Sequence, residues 1–254
     1  MMKIKEAFKN GKAFIPFITC SDPNLETTKE LVYMLESAGA DLIELGIPFS
    51  DPTAEGSVIQ AANMRALQAG VTTDKIFNMV ASLDVSVPLV FMTYANIVFS
   101  YGIEKFAVRC REVGISGIIL PDVAFEEKRE FSDVFEKYDV EFVSLIAPTS
   151  MERIKMIARE ARGFVYCVSS LGVTGVRSNI TSDIDSMVAA VREVTDLPVA
   201  IGFGISSCEQ AKSMAAKSDG VIVGSAIVRL VGEHGDECID SVRKYVSSMI
   251  EAIK

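Results

Sequence analysis

The chain of 254 residues has one histidine, five cysteines and no basic tract, and each scarcity removes a class of function. His234 stands in the C-terminal helical region with no carboxylate cluster around it, so no metal centre is expected. Lying far from any strand end, it also excludes a Ser-His-Asp triad and reads as a surface residue. Cys20, Cys110, Cys167, Cys208 and Cys238 are odd in number, scattered and never spaced as CxxC. That argues for reduced thiols in a cytoplasmic protein rather than a disulfide framework or a zinc site. The opening MMKIKEAFKNGKAF lacks the apolar stretch of a signal peptide, and every apolar run stops short of a membrane span. Acidic residues number 34 against 25 basic, a formal charge of −9. Nucleic acid and anionic membranes are therefore poor partners, and an anionic ligand needs local devices such as backbone amides.

What is present is a large apolar inventory, 49% of residues, arranged in short runs. Candidate strands fall at 13–19, 41–46, 88–94, 117–121, 141–145, 163–168, 198–202 and 220–224. Helical patterns lie between them at 26–37, 73–83, 103–113, 126–138, 150–161, 182–194, 206–216 and 226–253, the last broken near Gly232 and Gly235. Strands that are continuously apolar rather than alternating belong to a parallel sheet covered on both faces. Eight such units in a chain of this length point to an α/β fold, a (β/α)8 TIM barrel. An open doubly wound sheet would carry a glycine fingerprint after its first strand, where this chain has Cys20-Ser21-Asp22-Pro23. The stretch 59–70 adds an extra helix to the second unit. No linker or change of composition divides the chain, so 1–254 reads as one domain.

A barrel builds its active site from the loops at the C-terminal ends of the strands. The segment LIELGIPFSDPTAEGSVIQ, residues 42–60, brings two carboxylates there, Glu44 inside a buried strand and Glu55 in the loop beyond it. A buried acid is either a salt-bridged structural group or one whose pKa burial raises towards neutrality, as general acid/base work requires. Gly202-Phe203-Gly204 follows the seventh strand, and Gly224-Ser225 follows the eighth and opens a helix. Each could be turn punctuation, but loops at these two places commonly hold phosphate on free N–H groups. The run Leu171-Gly172-Val173-Thr174-Gly175-Val176 after the sixth strand suits either an ordinary loop or a closing lid. Asp22 and Asp122, beside prolines just past strand ends, read by default as turn or cap residues.

Taken in order, FIPFITCSDP (14–23), LIELGIPFSDP, MTYANIVFSYGIE (92–104), VSSLGVTG (168–175), AIGFGIS (200–206) and GVIVGSAIV (220–228) closely resemble the α subunit of tryptophan synthase, end to end. The resemblance implies a barrel that cleaves indole-3-glycerol phosphate to indole and glyceraldehyde 3-phosphate by a retro-aldol reaction. It implies that Glu44 is the acid/base, that Glu55 accepts the indole N–H, and that Tyr166 stands beside the catalytic glutamate. Phe17, Met92, Ile119, Phe203 and Ile222 fall on positions that line the indole pocket, a role compatible with plain barrel core. Gly175, Phe203, Gly204, Gly224 and Ser225 match the phosphate site, Thr174 lies in the lid, and Pro48 and Asp51 match partner-contacting positions. No cofactor is implied in this chain. Pyridoxal phosphate is expected in a partner β subunit, joined with it in an α2β2 assembly.

Three departures from the family pattern qualify that picture. The family's Leu-Ala-Asp-Gly-Pro is here Thr53-Ala54-Glu55-Gly56-Ser57, so the second carboxylate is one methylene longer. A misplacement of about 1 Å can lower a rate on the order of 100-fold, so weakened or re-geared activity is expected rather than none. Ser170 replaces a lid arginine and Ala124 a proline in the fourth loop, both near the expected partner. Two rivals follow: a catalytically weak α-like subunit that mainly activates the β subunit, and another phosphate-binding barrel enzyme with a different substrate.

Overall fold

The structure is a computed structural model that describes residues 2–168, 180–202 and 204–254, side chains of 180–183 excepted. Nine parallel strand segments form a single sheet: β1 (Ala13–Thr19), β2 (Ile43–Gly46), β3 (Leu89–Met92), β4 (Gly117–Ile119), β5 (Glu141–Phe142), β6 (Ser144–Ile146), β7 (Val165–Val168), β8 (Val199–Gly202) and β9 (Gly220–Val223). Their order is β5-β4-β3-β2-β1-β9-β8-β7-β6. The two edges, β5 and β6, are consecutive pieces of one strand on either side of Val143. The sheet therefore closes on itself as a (β/α)8 barrel. The expected strand at 141–145 is the one that splits. Its first piece pairs with β4 and its second with β7, and Val143 N–H makes a further bond to Ile118 O at 2.9 Å.

Alternation along each strand sorts the side chains into two buried layers. Ala13, Ile15, Val90, Ile119, Val143, Tyr166, Ala200 and Ile222 fill the barrel. Phe14, Ile18, Ile43, Leu45, Phe91 and Ile118 face outward into the shell beneath the helices. Both faces are dry, which is why the strand runs read as continuously apolar.

Eleven helices stand among the described residues: α1 (Leu25–Ala38), α2 (Ser57–Gln68), α3 (Thr73–Ala81), α4 (Ala95–Tyr101), α5 (Ile103–Glu112), α6 (Arg129–Lys137), α7 (Met151–Arg159), α8 (Ile180–Arg192), α9 (Cys208–Ala215), α10 (Ser225–His234) and α11 (Ile239–Ile253). None is long and apolar enough to cross a membrane. Local chemistry sets many of their ends. Asn24 accepts the Thr27 N–H at 2.8 Å to start α1, Gly39 ends it at φ 99°, and Ser207 with Gln210 forms a reciprocal capping box on α9. The extra helix of the second unit is α2. The long C-terminal stretch breaks at Gly235, but Gly232 lies within α10. A Cβ on Gly232 would stand 2.8 Å from Arg65 Nη2, so that glycine makes room rather than a break.

Two elements were not expected from the sequence. A 3₁₀ turn, Ile4–Phe8, closes the bottom of the barrel, with Ile4 and Ala7 in the interior cluster and the Phe8 ring 5.7 Å from Phe164. Short α4 adds a second helix to the third unit at the opposite, C-terminal mouth.

Candidate active site

Alternation decides where Glu44 points. Its neighbours Ile43 and Leu45 pack outward, so Glu44 turns into the barrel, in register with Phe17 of β1 and Val90 of β3. It is 1% exposed, and neither Oε1 nor Oε2 has a hydrogen-bond partner. No ion pair holds it among the described residues, so the reading as a salt-bridged structural acid has no counter-charge to rest on. Burial, and secondly the charge of Glu55, push its pKa up to about 8.

Glu55 lies in the loop after β2 and is 8% exposed. Burial raises its pKa to about 7, against the hydrogen bonds of Asn63 and Tyr94, which hold it down. Asn63 Nδ2 donates to Glu55 Oε2 at 2.6 Å, Gln60 Nε2 donates to Glu55 O at 2.8 Å, and Ala54 N–H donates to Tyr94 Oη at 3.1 Å. The loop thus hangs on α2 and on Tyr94, the second residue after β3. Ser57 is the first residue of α2, a position that favours proline but needs no N–H partner, so its replacement leaves the helix start intact. Asp22 is 2% exposed and accepts Arg65 Nε and Nη2, both at 2.8 Å. It is therefore no cap: it ties the first loop to α2, the helix that carries Asn63. Asp122 does act as a cap, accepting the Ala95 N–H at 3.0 Å at the start of α4.

Tyr166 projects into the barrel from β7, buried, with its pKa pushed well up by burial and then by Glu44. Gly202 on the neighbouring strand leaves space for it, since a Cβ there would stand 2.6 Å from Tyr166 Oη. The Phe17 ring is similarly accommodated: a Cβ on Gly46 would lie 2.5 Å from its Cζ, and one on Gly224 would lie 3.3 Å from its Cβ. Phe17 packs with Ala62, Val228 and Met92, while Ile119 and Ile222 lie in the interior cluster. A cavity of about 310 Å³ opens at Met92 and Tyr166, reaching from Ala54 to Val168; Glu44, Glu55, Phe17, Ile119 and Ile222 are not among its lining residues.

On the next side of the mouth, Gly204 is exposed at φ +76°, and Gly224-Ser225 begins α10 with Ser225 exposed. Because β8 and β9 pair, these two loops are neighbours, offering the unpaired N–H groups of a helix start beside a glycine turn. Phe203, Thr174, Gly175 and Ser170 lie outside the described residues. Pro48 is buried, whereas Asp51 and Ala124 are exposed. His234 is exposed at the end of α10, and no cluster of three or more potential metal ligands occurs among the described residues.

Sequence reasoning missed Asn63, Tyr94 and Arg65. The signal for one of them was available: α2 places Asn63 on its buried face together with Ala62 and Ala66, where a polar side chain requires a partner.

The comparisons with known proteins follow the same outline. The tryptophan synthase alpha chain family model matches residues 3–254. A tryptophan synthase alpha chain from Lacticaseibacillus casei is 46% identical, covering 100% of this chain and 96% of the relative. The solved structure of tryptophan synthase subunit alpha from Campylobacter jejuni superposes with a TM-score of 0.89 at 33% identity, over 98% of this chain and 99% of that one. A chain of the tryptophan synthase complex from Pyrococcus furiosus gives 0.87 at 32%, over 99% and 100%. With full-length identity of this order on the same barrel, the chain belongs to the tryptophan synthase alpha chain family.

Proposed function

We propose that this chain cleaves indole-3-glycerol phosphate to indole and glyceraldehyde 3-phosphate, as the α subunit of tryptophan synthase. The observation that carries this reading is Glu44, an unpartnered buried carboxyl facing Glu55 and Tyr166 across the barrel mouth, with its pKa raised to about 8. At neutral pH such a group is mostly protonated. Its proton goes to indole C3 as the carbon–carbon bond breaks and the bonding electrons return to the ring. The resulting carboxylate takes the proton of the glycerol hydroxyl as that carbon becomes the aldehyde. Glu55, with its pKa near 7, accepts the indole N–H as positive charge develops there. Tyr166 packs beside Glu44 and shapes the cavity.

Phe17, Met92, Ile119 and Ile222, with Phe203, supply the apolar walls that receive the ring. Gly204, Gly224 and Ser225, with Phe203 and Gly175, hold the phosphate on backbone N–H groups, and Thr174 belongs to the lid. The reading takes 1–254 as one domain working in the cytoplasm. It assigns pyridoxal phosphate to a partner β subunit and the pair to an α2β2 assembly. Pro48 and Asp51 lie on the approach to that partner. Met64 on α2 and Phe99 on α4, 47% and 63% exposed, add apolar surface on the helices beyond β2 and β3.

Purified chain should release indole from indole-3-glycerol phosphate, and release should rise when the β subunit is added. The substituted loop 53–57 favours one alternative, a weak catalyst that chiefly activates its partner. That alternative predicts strong stimulation of β turnover with negligible lyase activity, and a large rate gain on Glu55→Asp.

A further inference from the structure

The cavity at the barrel mouth is not confined to the barrel. Its lining includes Met92, Val143, Leu145, Tyr166 and Val168 from the interior, but also Phe142, Ser144 and Ile157 from the shell beneath the helices. Side chains from both faces of one strand can share a cavity only where the wall is open. The opening is the split in the fifth strand: beyond the Val143 bond to Ile118, β6 pairs with β7 alone, while β4 has ended at Ile119. The cavity therefore extends outward as a side chamber between β4 and β6, bounded by Phe125 and Lys128 of the segment after β4.

One polar group of this chamber has no partner, and a second is only partly satisfied. Ser144 is 5% exposed, and its Oγ is buried with no hydrogen bond. Lys128 is 7% exposed; its Nζ donates to Glu160 O at 2.6 Å and stands 5.6 Å from the centre of the Phe125 ring, contacts that leave N–H donors uncommitted. Lys128 makes no ion pair among the described residues. Glu160 and Glu136, the two acids close enough to influence it, are paired with Arg129 at 3.9 Å and Arg162 at 2.6 Å. A buried ammonium without a counter-charge is costly, and so is a buried hydroxyl without a partner. The other walls, Leu120, Pro121, Val123 and Phe125, are apolar.

We propose that this side chamber binds a small apolar or aromatic carboxylate, its carboxylate received by Lys128 and Ser144 and its body by the apolar walls. Because the chamber opens onto Met92 and Tyr166, which the catalytic reading places in the indole pocket and beside Glu44, its occupant competes with the indole ring. The binding stands on the chamber alone, and the competition rests on the catalytic reading above.

The test is calorimetric titration of the whole chain with indole-5-carboxylate and with its neutral carboxamide. The carboxylate is expected to bind at least roughly tenfold tighter than the amide, and Lys128→Met and Ser144→Ala are each expected to weaken it. Binding of indole-propanol phosphate alone should survive both substitutions, which also reports that the variants are folded. Equal binding of carboxylate and amide by the wild-type chain overturns the proposal. Undiminished carboxylate binding in both folded variants overturns it as well. Carboxylate binding by a chain that releases no indole from its substrate overturns the catalytic reading and leaves the chamber standing.

Discussion

Glu44 and Glu55 are held at raised pKa by different environments, and that difference sets their division of labour. Glu44 has no hydrogen bond, so burial acts on it unopposed, whereas Asn63 and Tyr94 partly stabilise the ionised form of Glu55. The productive state, Glu44 protonated and Glu55 ionised, is favoured between their two values. Indole release should accordingly follow a bell in kcat/KM, with apparent limbs near 7 and 8 that belong to the coupled pair. A profile flat from pH 6 to 9 would count against this assignment. Asn63→Ala removes the 2.6 Å bond that fixes the longer glutamate. Its expected effect is a fall in kcat of about tenfold or more with a smaller change in KM, as positioning loss predicts. Unchanged kcat would mean that Glu55 finds its place without it. The sequence made both glutamates conspicuous, because an acid in an apolar strand and an acid beside a broken loop stand out locally. Asn63 was marked only as a polar residue on the buried face of α2, since its partner lies across a loop whose path no local pattern specifies.

At the scale of elements, α2 carries the burden of the substituted loop. It starts at Ser57 without a side-chain cap and is tied down by the Arg65–Asp22 pair, whose acid is almost wholly buried. Arg65→Ala leaves that carboxylate unpaired. Allowing for the half-open position of Arg65, stability should fall by roughly 1–3 kcal/mol, read as a lowered midpoint of denaturation. A neutral result would show that water replaces the guanidinium. The element pattern itself was largely legible, because strands covered on both faces and helices between them leave strong periodic signals. What escaped were short pieces. The turn Ile4–Phe8 and α4 span too few residues to show a period; the turn is placed by the barrel bottom it closes, and α4 by the Asp122 cap at the mouth. The split at Val143 was equally hidden, since the strand run continues unbroken in sequence while its pairing changes.

For the whole molecule, a site built from raised carboxyls has a consequence for stability. In the unfolded chain both glutamates titrate near 4.5, and in the folded chain near 8 and 7. The folded state therefore binds more protons across that window. The stability from these groups is complete below about pH 4.5 and is lost as pH rises through 7 and 8. Glu44→Gln removes the larger share, so the variant should gain on the wild type by a few kcal/mol as pH goes from 5 to 9. Parallel denaturation curves at all pH values would contradict the burial of an ionisable Glu44. A gain in stability alongside a loss of activity is the expected mark of a group kept for chemistry.

The most direct measurement is indole release from indole-3-glycerol phosphate by the wild-type chain and by Glu44→Gln, each alone and with the β subunit. Release by the wild type, stimulated by the partner, is expected, with a loss on the order of 100-fold or more in the variant under both conditions. A Glu44→Gln chain as active as the wild type would contradict that expectation.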